Sequence, residues 1–500
     1  YAHLDVDSES KQYAAAADIA GRIPLLSRLA IAGLGGVAGI EFDYERQVEP
    51  WAGGEVALAA LPVGTAGQRV LMIETEDEEG AEAFATELLG PKQSAASVAG
   101  VDVALGRQGT AWALEDGFLL LGSRSGLTAM LEGEGGSLAD SGGPAVLDEL
   151  PADRFAYAYL SPDGARTLLW SGGLAPLDTF VDAGATEGAA ASLSADDGGI
   201  DLAVRSDLDP SKAEDSPGLF TTLPRFTPTL TGSIGPASLA YLGLGDPAAG
   251  VGALLDQART SSPGLLSALR RGLRQLGSEA GVDIARDIVP LLGSEAALSV
   301  QPVAIGAEPI VPGVTPDAGT PYAGLIAAGI DPEEAQRSLA RLERPVERAA
   351  DSGDGKAATF ETIQLAGVQA RTLAVSDAVD LTYAAWDDRL VIATDSLGIE
   401  QARSLDGGLD ESERFRDLTA GLPDEVSLIA YLDLAGLLAL GEQAGLAVDP
   451  AYTTYAADLR ALSAAALTVV GGEERIDTDL RIAVGPRQVP EIDASPLDGG

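Results

Sequence analysis

His3 is the only histidine of the 500 residues and the one side chain whose ordinary pKa suits acid–base work at neutral pH. It stands in Tyr1-Ala-His-Leu-Asp5, and two related stretches, Tyr157-Ala-Tyr-Leu-Ser161 and Ile429-Ala-Tyr-Leu-Asp433, carry tyrosine at its place in the pattern. It therefore reads as a half-buried strand residue, not a general base. Asp5-Val-Asp7-Ser-Glu9 has the alternating acids that begin a calcium loop but lacks the glycine and distal glutamate that complete one. Asp196-Asp197-Gly198-Gly199 and Asp351-Ser-Gly-Asp354-Gly read as turns. There is no cysteine, hence no disulfide, thiolate nucleophile or cysteine-ligated zinc. No phosphate-binding glycine loop, H-E-x-x-H or G-x-S-x-G lies between a strand and a helix. No catalytic residue, metal ligand or cofactor-binding residue is assigned, and no cofactor is expected. Carboxylate pairs for glycoside chemistry do not stand out among 76 acids.

The residues that recur are more informative. Phe42–Leu58 (F-D-Y-E-R-Q-V-E-P-W-A-G-G-E-V-A-L) returns as Val282–Leu298 (V-D-I-A-R-D-I-V-P-L-L-G-S-E-A-A-L), 240 residues on. Pro50, Gly53 and Glu55 recur as Pro290, Gly293 and Glu295, while Trp51 is replaced by Leu291. Asp43 and Arg46, like Asp283 and Arg286, are neighbours on a short helix. The proline ends it, the glycine makes a turn, and an alternating strand follows. Trp51 and Leu291 then read as apolar plugs under that turn, and Glu55 and Glu295 as carboxylates bonding turn amides. Pro50, Trp51, Gly53, Glu55, Pro290, Gly293 and Glu295 form a structural motif, with no chemistry attached.

Stepping along the chain, Ser8–Ala30 has helical spacing, with Ser8 as its cap. Arg69–Thr75 is a strand and 77–89 a helix; Tyr322–Ala328 and 331–342 repeat them. Asp116-Gly117 joins two strands in a tight hairpin, repeated in 383–393 with Asp388 opposite Asp116. Pro151–Leu160 matches Pro423–Leu432, and each copy closes on a hairpin, 189–206 and 465–484. The expected fold is α+β with an internal duplication: two similar copies, 1–206 and 237–484, each a mostly antiparallel sheet of seven to nine strands covered on one face by helices. Residues 207–236, rich in Pro, Ser and Thr, read as a linker and 485–500 as a loose tail.

Hydrophobic content of 46% excludes a disordered chain. Thirty-two basic residues against 76 acidic ones give a net charge of −44, with four lysines (Lys11, Lys92, Lys212, Lys356). That surface repels nucleic acid and anionic lipid, reads first as a solubilising coat, and would also suit a salty or extracytoplasmic setting, cationic partners or loose calcium binding; no nucleic-acid partner is expected. The apolar run Leu29–Ile40 is far below the roughly 20 residues that span a bilayer. The chain opens at Tyr1, without methionine and inside an apparent strand, which predicts an upstream signal or anchor.

Pro50-Trp-Ala-Gly-Gly-Glu-Val-Ala-Leu58, its echo at 290–298, the Tyr-Ala-x-Leu strands and the terminal hairpins together resemble the bacterial family of domain of unknown function 3352, over nearly the whole chain. The resemblance implies a secreted or membrane-anchored protein preceded by an N-terminal membrane segment or signal, and supplies no assigned site. Two function classes stand open. One is a non-enzymatic extracytoplasmic envelope protein, binding an unidentified envelope ligand or protein in a groove between or within the duplicated domains. The other is an acidic-residue hydrolase of an extracytoplasmic polymer, which would need a carboxylate pair about 5 to 10 Å apart in a cleft.

Overall fold

A computed structural model describes residues 1–25, 44–61, 68–90, 94–106, 109–133, 138, 143–165, 184–215, 218–250, 287–303, 319–350, 358–376, 379–404 and 407–486. Its strands are β1 (Ala2–Asp5), β2 (Ala52–Leu61), β3 (Gln68–Thr75), β4 (Ser94–Val98), β5 (Val101–Leu105), β6 (Thr110–Glu115), β7 (Phe118–Ser123), β8 (Ala156–Leu160), β9 (Thr186–Asp196) and β10 (Gly199–Leu208). They continue as β11 (Ala240–Gly245), β12 (Glu295–Val303), β13 (Gly319–Ala328), β14 (Glu361–Leu365), β15 (Val368–Ser376), β16 (Val379–Trp386), β17 (Arg389–Ala393), β18 (Leu428–Leu432), β19 (Leu462–Val470) and β20 (Arg475–Val484).

All 20 strands belong to one antiparallel sheet, which overturns the expectation of two sheets, one per copy. The order from one edge is β4-β5-β6-β7-β3-β2-β1-β8-β9-β10, and β10 then pairs with β20. Beyond that seam the order is β20-β19-β18-β11-β12-β13-β17-β16-β15-β14. Read inward from each edge, the second half follows the first with every strand number raised by ten. The physical reason for a single sheet is the edge. A closing hairpin leaves β10 and β20 each with a row of unpaired amides and carbonyls, and each satisfies the other over nine residue pairs, from Gly199↔Ala483 to Asp207↔Arg475.

The helices cover both faces of the sheet, not one. Leu71 and Ile73 of β3 pack with Ala81 and Phe84 of the helix Glu78–Leu89, whereas Val70, on the opposite face, packs with Leu127 of the helix Arg124–Glu132. The continuous apolar run Val-Leu-Met-Ile in β3 signals burial on both sides.

The hairpin turns depend on left-handed residues. Asp116 and Gly117 lie at φ 48° and 81°, and Asp387 at 50°, so the structure sets Asp387 and not Asp388 opposite Asp116. Ala99-Gly100 and Ala366-Gly367 turn the outer hairpins β4–β5 and β14–β15 in the same conformation. The first helix runs Lys11–Arg22, capped by Ser10 and not Ser8: the Ser10 hydroxyl accepts from the Tyr13 amide. Residues 207–236, read from composition as a joining segment, complete β10, form the helices Pro210–Asp215 and Leu219–Thr222, and bury Leu230 and Ile234 completely. Phe226 makes an antiparallel bridge to Val426. Leu29–Ile40, Asp43, Asp283, Arg286, Asp351, Asp354 and most of the 485–500 tail lie outside the described residues. No helix among the described residues is long and apolar enough to cross a membrane.

Candidate binding groove

The recurring motif enters corresponding strands, β2 and β12. Trp51 is buried against Phe84, ring centroids 5.3 Å apart, with its indole N–H donated to the Gln47 carbonyl at 2.6 Å; Leu291 is buried with Leu339 under the helix Pro332–Ala350. Pro50 lies in the turn before β2 and Pro290 in the 3-10 turn Val289–Leu291. Gly293 adopts φ 63° and is closed in by the Ala328 carbonyl, while Gly53 faces only the Glu74 side chain.

Glu55 and Glu295 part company. Glu295 is buried and accepts the amides of Thr229 and Leu230 at 2.8 and 2.9 Å and the Thr229 hydroxyl at 2.5 Å, so it holds the segment that crosses the sheet. Glu55 is 55% exposed and lies 3.7 Å from His3 Nε2. Glycines explain the difference. Asp5 faces Glu55 across β1–β2, and Gly245 faces Glu295 across β11–β12; Gly245 lies against the Phe226 ring, where a side chain would collide. His3 holds the position of Gly243 and stacks on Tyr157 at 4.7 Å.

The acidic run is local turn chemistry: the Asp7 amide donates to Asp5, the Glu9 amide to Asp7, and the Ser10 hydroxyl to Asp5. Asp196 accepts the amides of Gly198 and Gly199 in the same manner. Among the described residues no group of His, Cys, Asp and Glu is placed to hold a metal ion.

A cavity among the described residues lies elsewhere, at the seam. An open groove of about 650 Å³ is lined by Arg481 and Ala483 of β20, Gly198 of the β9–β10 turn, Tyr431 of β18, Asp433, Ser463, Pro236 and Ala237, and by Ser412, Glu413, Arg414, Asp417 and Leu418 at the helix Glu413–Thr419. Both halves of the sheet and the crossing segment meet there. The segment held by Glu295 also fixes the opposite wall, since Ile234 accepts the Leu409 amide at 2.7 Å just before that helix.

The arginines of the groove are already engaged. Arg414 Nη1 donates to Asp433 Oδ1 at 2.7 Å, and Asp433 also caps the helix Leu434–Gln443 through the Gly436 amide. Arg481 Nη2 donates to Asp196 at 2.7 Å, with Asp201 3.6 Å from its Nε. Burial, then Asp433, pushes the Tyr431 hydroxyl up from the usual tyrosine range. Burial outweighs the nearby Arg481 at Asp201, whose carboxyl is pushed up. None of the motif residues lines the groove, and the sequence reading singled out neither arginine. A signal was present: Ile200-Asp201-Leu-Ala-Val-Arg205 returns as Ile476-Asp477-Thr-Asp-Leu-Arg481, a charged repeat in the middle of a closing hairpin.

No curated protein matches the chain. A solved structure described as crystal form III of TP0453 is similar over 52% of this chain and 81% of that one, at 12% identity and a TM-score of 0.25, which is too low to carry an argument. The family model described as "Protein of unknown function (DUF3352)" matches residues 31–476, nearly the whole sheet, and the chain belongs to that family.

Proposed function

We propose that this is a non-enzymatic binding protein of the extracytoplasmic envelope whose ligand site is the seam groove, and that its repeated strand order is the mark of an internal duplication. The carrying observation is the groove's place in the fold. It is about 650 Å³, open to solvent, and sits where β20, the β9–β10 turn and the crossing segment converge on the rigid middle of the sheet. Its polar groups are held by ion pairs and helix caps, as suits fixed recognition contacts. The acidic composition suits such a location.

The test is copurification. The intact protein and an Ala237→Trp variant, whose indole would occupy the groove, are each incubated with envelope extract and analysed by native mass spectrometry. A ligand retained by the first and lost by the second supports the reading. An identical set of retained molecules removes the groove from the proposal.

A further inference from the structure

The charge of the groove narrows what it can take, and this step rests on the binding reading above. Arg414 is committed to Asp433 and Arg481 to Asp196, so the two cations of the lining are already balanced. Glu413 and Asp417 are exposed on the helix Glu413–Thr419, four residues apart and hence on one face, and both line the cavity. Asp201, behind Arg481, adds a further carboxylate to the same guanidinium. Three acids of the lining, Glu413, Asp417 and Asp433, with Asp196 and Asp201 beside Arg481, thus outnumber its two arginines, in a chain whose net charge is −44. Arg416 of the same helix does not line the groove.

We infer that the groove binds a cationic peptide segment, with its ammonium or guanidinium groups placed against Glu413 and Asp417. The field of the whole chain draws such a segment in, and the groove walls reduce the screening of the final contacts.

Because the chain has no cysteine, Ser412→Cys supplies one thiol in the groove wall for a fluorescent reporter. Ser412 makes no side-chain cap bond at its helix, so the exchange is mild. Blocked tetralysine should give a saturable signal, and tetraglutamate none. Glu413→Gln with Asp417→Asn should weaken tetralysine binding about tenfold, while removing two distant charges, Glu82→Gln with Asp102→Asn, should change it less than about twofold. Equal weakening by both pairs would mean attraction by the overall field alone and would overturn the assignment. So would equal binding of tetraglutamate, or no binding of tetralysine. Should tetralysine fail while Ala237→Trp still abolishes copurification, the groove remains a binding site and only the ligand class falls.

Discussion

Ala203 and Asp479 face each other across β10 and β20 at the point about which the two halves of the sheet are related. On either side of them the same ion pair occurs twice with roles exchanged. Arg205 Nε lies 3.6 Å from Asp477, and Arg481 Nε lies 3.6 Å from Asp201. This is the self-complementary pattern of a two-fold dimer interface, realised inside one chain. The two pairs differ in depth, since Arg205 is 14% exposed and also donates to Asp479 at 2.9 Å, whereas Arg481 is 28% exposed.

That difference gives the first prediction. Arg205→Ala removes the guanidinium bonded to Asp479 and leaves Asp477 with Arg475 alone, in a half-buried setting, and should cost about 2 kcal/mol in urea unfolding. Arg481→Ala, whose partners Asp196 and Asp201 are 51% and 41% exposed, should cost under about 1 kcal/mol. Equal losses would show that depth at the seam is immaterial.

Glu55 and Glu295 are identical in the repeat and should respond unequally to the same substitution. Glu295→Gln weakens three hydrogen bonds to a buried carboxylate and should destabilise by about 2 kcal/mol, with faster hydrogen exchange at Thr229 and Leu230. Glu55→Gln, at an exposed carboxylate, should stay within ~0.5 kcal/mol. Unchanged exchange in the first variant would remove Glu295 as the clamp.

The glycines of the motif are likewise unequal. Gly293→Ala puts a methyl into the Ala328 carbonyl at a left-handed φ of 63° and should cost about 3 kcal/mol. At Gly53 the methyl meets only the far end of Glu74, which can swing away, so Gly53→Ala should cost under about 1 kcal/mol by thermal or urea unfolding.

A pH series tests the burial of Asp201 at the seam. Burial first, with Asp196 and Asp479 adding to it against Arg481, raises the folded-state pKa of Asp201 above its ordinary value of 3.8. The folded chain therefore holds that proton more tightly than the unfolded chain. The ionised carboxyl costs stability above the raised pKa, and the cost is relieved as pH falls through it. Asp201→Asn should be more stable than the parent at neutral pH, with the gap closing toward pH ~4. A gap that widens on acidification would reverse the sign.

The net charge of −44 should make stability rise with salt, because screening at ~0.15 M acts over about 8 Å. Thermal melts at matched ionic strength should show sodium chloride nearly as effective as calcium. A rise of several degrees at micromolar calcium alone would establish an ordered site instead.

Local signals in the sequence determined a good part of this protein. Proline at 50 and 290 and glycine at 293 set where β2 and β12 begin, although Gly53 lies inside β2 and not in a turn, Asp116-Gly117 set a hairpin, and the acidic first turn after Asp77 set a helix, because each rests on φ preferences and capping within a few residues. The outer hairpins escaped notice, since Ala99-Gly100 and Ala366-Gly367 are weaker turn signals than Asp-Gly. Tertiary structure alone decided the rest. Whether the two halves make two sheets or one depends on how unpaired edges are satisfied, and no residue of β10 or β20 encodes that locally. Whether a glutamate is a clamp or an exposed neighbour of histidine depends on glycine or aspartate opposite it and on a segment about 65 residues away in the chain. The groove is the extreme case: its walls come from Gly198, Ala237, Arg414 and Arg481, and only the closing of the sheet brings them together.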